Sequence, residues 1–393
     1  MILELLGAVA LLVALAYAVL RRWPLLVHRS HQDHISSELR AARVVAHRGG
    51  KLAYHENTLA SFAHALRSGA CMLEFDLHFT ADRQIVVFHD PTFARLCGGD
   101  ADADARVLAE CYYDDLPLLD DERCDAQREA WFGEDQARSQ LRRVATKRGS
   151  DRWLRTIPTL EEVFDLVTNW PGSAPTDFEV PGFSTSAAVA PHCPPTVLLE
   201  FKINDEELIR RVRTMVDVYE LSSRAMWFSL NKVANAALRK SEPLTGLATL
   251  PTLTAFQDVF KICLLWAAGL LPFLPLHDPV FGFPVGGVLS FKGVRRFKAS
   301  EILPDWLVHF VINAMTGAFQ SPGLRRHLHR RGMVTTVLIV NSVGDLTTAR
   351  RIGTTQFLTD DPEWVVEQLR LEEWNAGLNT SSRSSNSGKE KEQ

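Results

Sequence analysis

The sequence predicts an α/β fold, and three observations carry that prediction. Short apolar runs of strand length alternate with stretches of helical period from Arg43 to about residue 375. Gly, Pro, Asn and Asp punctuate the joins. Histidines and acids collect at the ends of several apolar runs, among them His47, Glu74, Asp76, His89 and Glu200.

Length and composition set the limits. The 393 residues, 46% of them hydrophobic, supply one large domain or two ordinary ones. A net charge of −4 provides no basic field, which disfavours nucleic acid as a partner. The six cysteines (Cys71, Cys97, Cys111, Cys124, Cys193 and Cys263) show no C-x-x-C spacing, so they read as free thiols in a reducing compartment. No internal repeat is visible.

Residues 1–22 read as a transmembrane anchor. Leu5 to Leu20 carry no charge, and Arg21 and Arg22 stop the run. Glu4 precedes the run where a cleaved signal would carry positive charge, so an uncleaved single-pass anchor is expected. The two arginines place the catalytic part on the cytosolic side, with an endomembrane such as the endoplasmic reticulum as a compatible site. Residues 23–42 read as a polar linker.

Arg43–His47 forms the first expected strand, with His47 and Arg48 at its end. Asn57 is placed to cap a helix over Leu59–Arg67, which Gly69 stops. The next strand, Cys71 to Phe79, carries Glu74 and Asp76 two residues apart. Side chains at i and i+2 share one face of a strand. Two carboxylates on one face of an apolar strand require a counterion, because each raises the cost of burying the other. A turn at Thr80–Arg83 leads into Gln84–Phe88 and then His89-Asp90.

Thr196–Lys202 is a further core strand with Glu200 and Lys202 on one face, which by itself reads as an ion pair. Further strands are expected at Ala225–Leu230, Thr245–Leu250, Val285–Phe291, Met333–Val340 and Thr355–Thr359, giving nine candidates in all. Residues 120–155 and 171–195 read as polar insertions. The uncharged segment 262–276, ICLLWAAGLLPFLPL, reads either as a buried helix or as a membrane-facing element, and 376–393 reads as a disordered tail.

The run HRG, ENT, LEFDLHFTADRQ and VVFHD, spanning His47 to Asp90, resembles the glycerophosphodiester phosphodiesterase family. The likeness continues through Thr156–Glu162, Glu200-Phe201-Lys202 and Thr359-Asp360-Asp361-Pro362. The LLPF-x-P run at 270–275 is similar to the membrane-associated, lysophospholipase D-type branch. One departure is Ile339, where many members carry an aromatic two positions before Asn341.

The resemblance implies a TIM (β/α)8-type barrel over residues 43–375, with active-site residues at the C-terminal strand ends. It implies one divalent cation held by Glu74, Asp76 and Glu200. An all-oxygen donor set suits Mg²⁺ or Ca²⁺ rather than zinc. It further implies an acid–base pair, His47 and His89, with the assignment of acid and base left open. Arg48, Lys202 and Glu56 are the expected phosphate or substrate contacts.

The activity expected is metal-dependent hydrolysis of glycerophosphodiester bonds, of the lysophospholipase D type, releasing a head-group alcohol and leaving lysophosphatidate. Water-soluble deacylated diesters are the alternative substrates, and an inactive lipid-binding scaffold is the alternative from another class. The expected partners are the substrate and a phospholipid membrane, with no nucleic acid and no protein partner.

Overall fold

The computed structural model describes residues 2–28, 30–97, 106–132, 154–170, 194–241, 249–285 and 316–371, with isolated positions 306, 313 and 314. A curled parallel sheet forms its centre. Its strands are β1 (Val44–His47), β2 (Met72–Phe79), β3 (Ile85–Val87), β4 (Thr196–Phe201), β5 (Ala225–Phe228), β6 (Val280–Pro284), β7 (Val334–Leu338) and β8 (Gln356–Thr359). They lie in the order β5-β4-β2-β1-β8-β7-β6, with β3 antiparallel to β2 and outside the ring. The two sheet edges meet through single parallel bridges, Trp227 to Thr252 and Leu253 to Val280.

Two expected strands fall elsewhere. The segment joining β5 to β6 uses Thr252 and Leu253, beyond the expected Thr245–Leu250, of which 245–248 lie outside the described residues. The next strand is Val280–Pro284, ahead of the expected Val285–Phe291, of which 286–291 lie outside them. Pro279, Gly282 and Pro284 read as breakers in sequence. In the structure the two prolines sit just before and at the end of the strand, where a missing N–H is tolerated. Gly282 is there for space: a Cβ would lie 3.0 Å from Leu253 Cδ2.

Helices cover the sheet. α1 is Ile2–Arg22, α2 Ser37–Ala41, α3 Leu59–Ser68, α4 Asp121–Phe132 and α5 Leu160–Thr168. α6 is Glu206–Val218, α7 Lys232–Lys240, α8 Phe256–Ala267, α9 Pro322–Arg330 and α10 Val343–Ile352. Between sheet and helices lies a large apolar core that includes Phe62, Phe75, Leu77, Phe164, Val197, Trp227 and Val337. Inside the ring, Val45, Met72, Leu198, Met226, Leu253, Val280, Val334 and Leu358 pack against Ile35, Leu39 and Ala42. Residues 35–42, expected to be a linker, therefore close the N-terminal end of the ring. Gln356 Nε2 donates to the Leu39 carbonyl there.

The expected anchor, residues 1–22, falls on α1, whose side chains are described from Leu6 onward. Among the described residues no helix is long and apolar enough to cross a membrane. The C-terminal part of α1 lies against the body. Tyr17 packs on Phe273, the Arg21 guanidinium sits over the Trp266 ring, and Arg330 donates to the Arg21 carbonyl. Among the described side chains of α1, Leu6, Leu11, Leu12 and Leu15 are exposed.

The thiol expectation is also corrected at one position. Cys71 is disulfide-bonded, whereas Cys97, Cys111, Cys124 and Cys263 are free and buried.

Candidate active site

The C-terminal ends of neighbouring strands build one site. Parallel pairing sets His47 beside Glu74 and Asp76 beside Glu200. Because Glu74 and Asp76 share a face, the three acids converge: one carboxylate oxygen from each lies within 4.8 Å of the others. All three are buried.

Counter-charge comes from the flanking loops. Lys202 Nζ lies 2.6 Å from Glu200 Oε1 and 2.9 Å from Asp76 Oδ1. Arg48 Nε is 3.3 Å from Asp76 Oδ2, and the Arg48 backbone N–H donates to Glu74 Oε2 at 2.8 Å. Burial and the neighbouring carboxylates push the Glu74 carboxyl well above its usual range. Burial lifts Glu200 to about 7 against the pull of Lys202. For Asp76 the balance reverses: burial raises it, but Lys202 and Arg48 together hold it well below.

A divalent cation fits this arrangement. Glu74 Oε1 is buried with no hydrogen-bond partner. Among the described residues, Glu56, Glu74, Asp76, Asp90, Glu200 and Asp360 outnumber the cations Arg48, Lys51, Arg95 and Lys202 by two. One divalent ion matches that deficit and would offset the burial and like charge that raise the Glu74 carboxyl.

Each candidate histidine has a carboxylate behind it. His47 Nδ1 lies 2.6 Å from Asp360 Oδ1, and His89 Nδ1 lies 2.8 Å from Asp90 Oδ1. Those contacts set the proton on Nδ1 and turn Nε2 of each ring away from its carboxylate. Burial lowers the His47 imidazole to about 4, with Lys51 adding to the fall and Asp360 opposing it. Burial lowers His89 as well, opposed by Asp90.

Supporting contacts reach across the site. Asp360 also accepts from Asn341 Nδ2 at 2.8 Å and pairs with Lys51 Nζ at 2.9 Å. Asp90 takes Arg95 Nε at 2.5 Å.

Two expectations change. Glu56, expected to touch substrate, is boxed between Arg48 Nη1 at 2.9 Å and Arg95 Nη2 at 2.7 Å and is almost fully buried. An anionic group in that position repels phosphate, so its place is behind Arg48, holding the guanidinium. Asn57 does not cap α3. Thr58 does, in a capping box with Ser61, and Asn57 Nδ2 donates to Asp76 Oδ2 at 2.8 Å from a left-handed backbone, φ 59°.

Asp360, Asp90, Lys51, Arg95 and Asn341 are site residues that sequence reasoning did not single out. The T-D-x-P and H-D pairs were the signals available for the two aspartates. Ile339 stands exposed at the end of β7 with φ 64°, a rare backbone state for a β-branched residue.

Comparison with known proteins decides the family. The model of the glycerophosphoryl diester phosphodiesterase family matches residues 47–255, more than half of the chain. The chain belongs to this family. It is 25% identical to human lysophospholipase D GDPD1 over 346 residues, 88% of this chain and 90% of that protein. It is 24% identical to human lysophospholipase D GDPD3, covering 81% and 82% of the two chains. Among solved structures, a glycerophosphoryl diester phosphodiesterase from Silicibacter pomeroyi superposes with a TM-score of 0.52 at 19% identity, covering 86% of this chain and 97% of that one. That likeness matches the curled parallel sheet to the family's barrel. The chain is therefore a phosphoric diester hydrolase on a TIM-type scaffold, and within the family it resembles the lysophospholipase D-type members.

Proposed function

We propose that this protein hydrolyses lysophospholipids in the lysophospholipase D manner, releasing the head-group alcohol and leaving lysophosphatidate. The observation that carries the reading is the pair of carboxylate-backed histidines, His47 and His89, beside the Glu74–Asp76–Glu200 cluster. Glu74, Asp76 and Glu200 would hold the cation, Mg²⁺ or Ca²⁺. When bound, it supplies positive charge to a phosphate that is anionic and gains charge as it reacts.

The remaining steps belong to the chain's own side chains. Arg48 and Lys202 donate to the phosphate oxygens and orient the diester. One imidazole takes the proton of the attacking hydroxyl, and the other protonates the departing alkoxide. Asp360 and Asp90 fix each ring and favour its charged form at that moment. The attacker is the substrate's own glycerol 2-hydroxyl, whose oxygen bonds to phosphorus as the bond to the head group breaks. Water then opens the cyclic phosphate.

Head-group release from lysophosphatidylcholine and glycerophosphocholine tests this, with wild type and His47→Ala, each with Mg²⁺, Ca²⁺ or EDTA. Metal-dependent release that is lost in the variant is expected, with the lysolipid preferred. Turnover of diacyl phosphatidylcholine at the lysolipid's rate rules out the 2-hydroxyl route. Preference for glycerophosphocholine moves the assignment to water-soluble diesters.

The same reading takes a phospholipid surface as partner. Supporting it, Leu6, Leu11, Leu12 and Leu15 on α1 are exposed, as are Leu264, Leu270 and Phe273, the last packed on Tyr17, with Arg21 and Arg22 at the helix end. Removal of residues 1–22 is expected to abolish vesicle sedimentation while glycerophosphocholine turnover persists. The disulfide at Cys71 favours an oxidising compartment over the cytosolic side.

A further inference from the structure

A second buried polar junction lies outside the acidic cluster, where α4 meets the loop between β1 and α3. The loop, residues 48–57, carries Arg48, Lys51, Glu56 and Asn57, each bonded to a carboxylate or cation of the site. Its backbone takes positive φ at Arg48 (54°), Gly49 (78°), Gly50 (87°) and Asn57 (59°). For Arg and Asn that state persists only where the surroundings enforce it.

Enforcement from outside comes from α4. Arg128, only 2% exposed, donates Nε to the Lys51 carbonyl at 3.0 Å and Nη2 to His55 Nδ1 at 2.7 Å. Its Nη1 pairs with Asp125 on the same helix. Asp121, two turns earlier on that face, accepts from His55 Nε2 at 2.6 Å. His55 is thus gripped on both ring nitrogens, and a donor facing Nδ1 fixes the Nε2–H tautomer. One guanidinium spans two loop positions four residues apart. The side chain of the first, Lys51, reaches the Asp360 that orients His47. The neighbour of the second, Glu56, holds Arg48.

We infer that Arg128 is a positioning residue, presetting the 48–57 loop so that Arg48 and Lys51 stand in reactive geometry before substrate arrives. α4, within a segment that reads in sequence as a polar excursion, then belongs to the machinery of the site. The kinetic half of this inference rests on the phosphodiesterase reading above, and the structural half rests on the loop alone.

The test compares Arg128→Ala and Arg128→Lys with Arg123→Ala, whose side chain bonds the Ala94 carbonyl from the same helix. Amide hydrogen exchange over residues 48–57 needs no substrate. It is expected to rise in Arg128→Ala while β1 and β2 keep their protection. Head-group release is expected to fall about 10- to 100-fold in kcat with little change in KM. Guanidinium ion should restore part of the loss, and Arg128→Lys should fall between wild type and alanine.

Unchanged exchange over 48–57 in Arg128→Ala overturns the inference. So does an equal kcat loss in Arg123→Ala, because helix docking in general would then explain it. A wild type inactive on every diester removes the proposed function, and the loop exchange still decides the role of Arg128.

Discussion

His47 sits between opposing influences: burial and the Lys51 ammonium favour the neutral ring, and Asp360 favours the charged one. The neutral side wins, lowering the imidazole to about 4 from its ordinary value of 6.5. With His47 as the base and the metal held saturating, that ring stays unprotonated well into the acid range, and kcat/KM should hold below pH 6. Lys51→Met removes a positive charge 2.9 Å from Asp360, so it should raise the His47 pKa and move the acid limb of the profile upward. A pH–rate profile of the two proteins checks this, and an unshifted limb counts against the Lys51–Asp360–His47 chain.

The carboxylate cluster makes a prediction of opposite sign. Glu200 is raised to about 7 and Glu74 is pushed well above its ordinary range, so in the metal-free protein both keep protons at pH values where an ordinary glutamate has lost them. A cation must displace those protons. Metal affinity should rise as pH climbs toward 7, and binding should release protons, measurable by calorimetry in buffers of different ionisation enthalpy. At this scale the sequence was legible where chemistry is local. The i, i+2 spacing of Glu74 and Asp76 required a counterion, and the family-like runs marked His47, His89 and Glu200. Asp360 was not legible as the partner of His47, because 313 residues separate them and only the closing of the sheet brings β8 beside β1.

Among the elements, α3 and the loop before it depend on one another. The capping box at Thr58 and Ser61 starts the helix, and Gly49 packs against its first turn. A Cβ on Gly49 would lie 2.7 Å from Phe62 Cδ1 and closer still to Ser61, on a backbone with φ 78°. Gly49→Ala should therefore destabilise the protein by about 1–3 kcal/mol and lower activity, because the shift reaches Arg48. Thermal unfolding alongside kcat checks both. Helix starts are legible in sequence where a polar cap precedes an amphipathic run, as at Asp205 before α6 and Asn231 before α7. The β5–β6 side was misread because its strands are short and broken by proline and glycine. Leu253 and Gly282 fit only against each other, a pairing that local propensity does not encode.

The whole molecule offers one more measurement. Non-reducing alkylation of the native protein followed by peptide mapping should leave Cys71 unmodified because it is bonded, and Cys97, Cys124 and Cys263 unmodified because they are buried. Burial also raises those three thiols to about 12, which keeps them unreactive. Unfolding without reductant should expose the three and still spare Cys71. Labelling of Cys71 under those conditions argues against the bond and removes the case for an oxidising compartment.

The plug of Ile35, Leu39 and Ala42 in the floor of the ring has a mechanical consequence. Twenty slack residues after α1 would be a leash with a reach of about 25 Å, letting the catalytic mouth sweep a hemisphere. Here the leash is wound into the barrel, and α1 is bolted to Trp266 and Phe273. Whatever surface α1 grips, the mouth meets it at one fixed tilt and height, so substrate must travel to the enzyme.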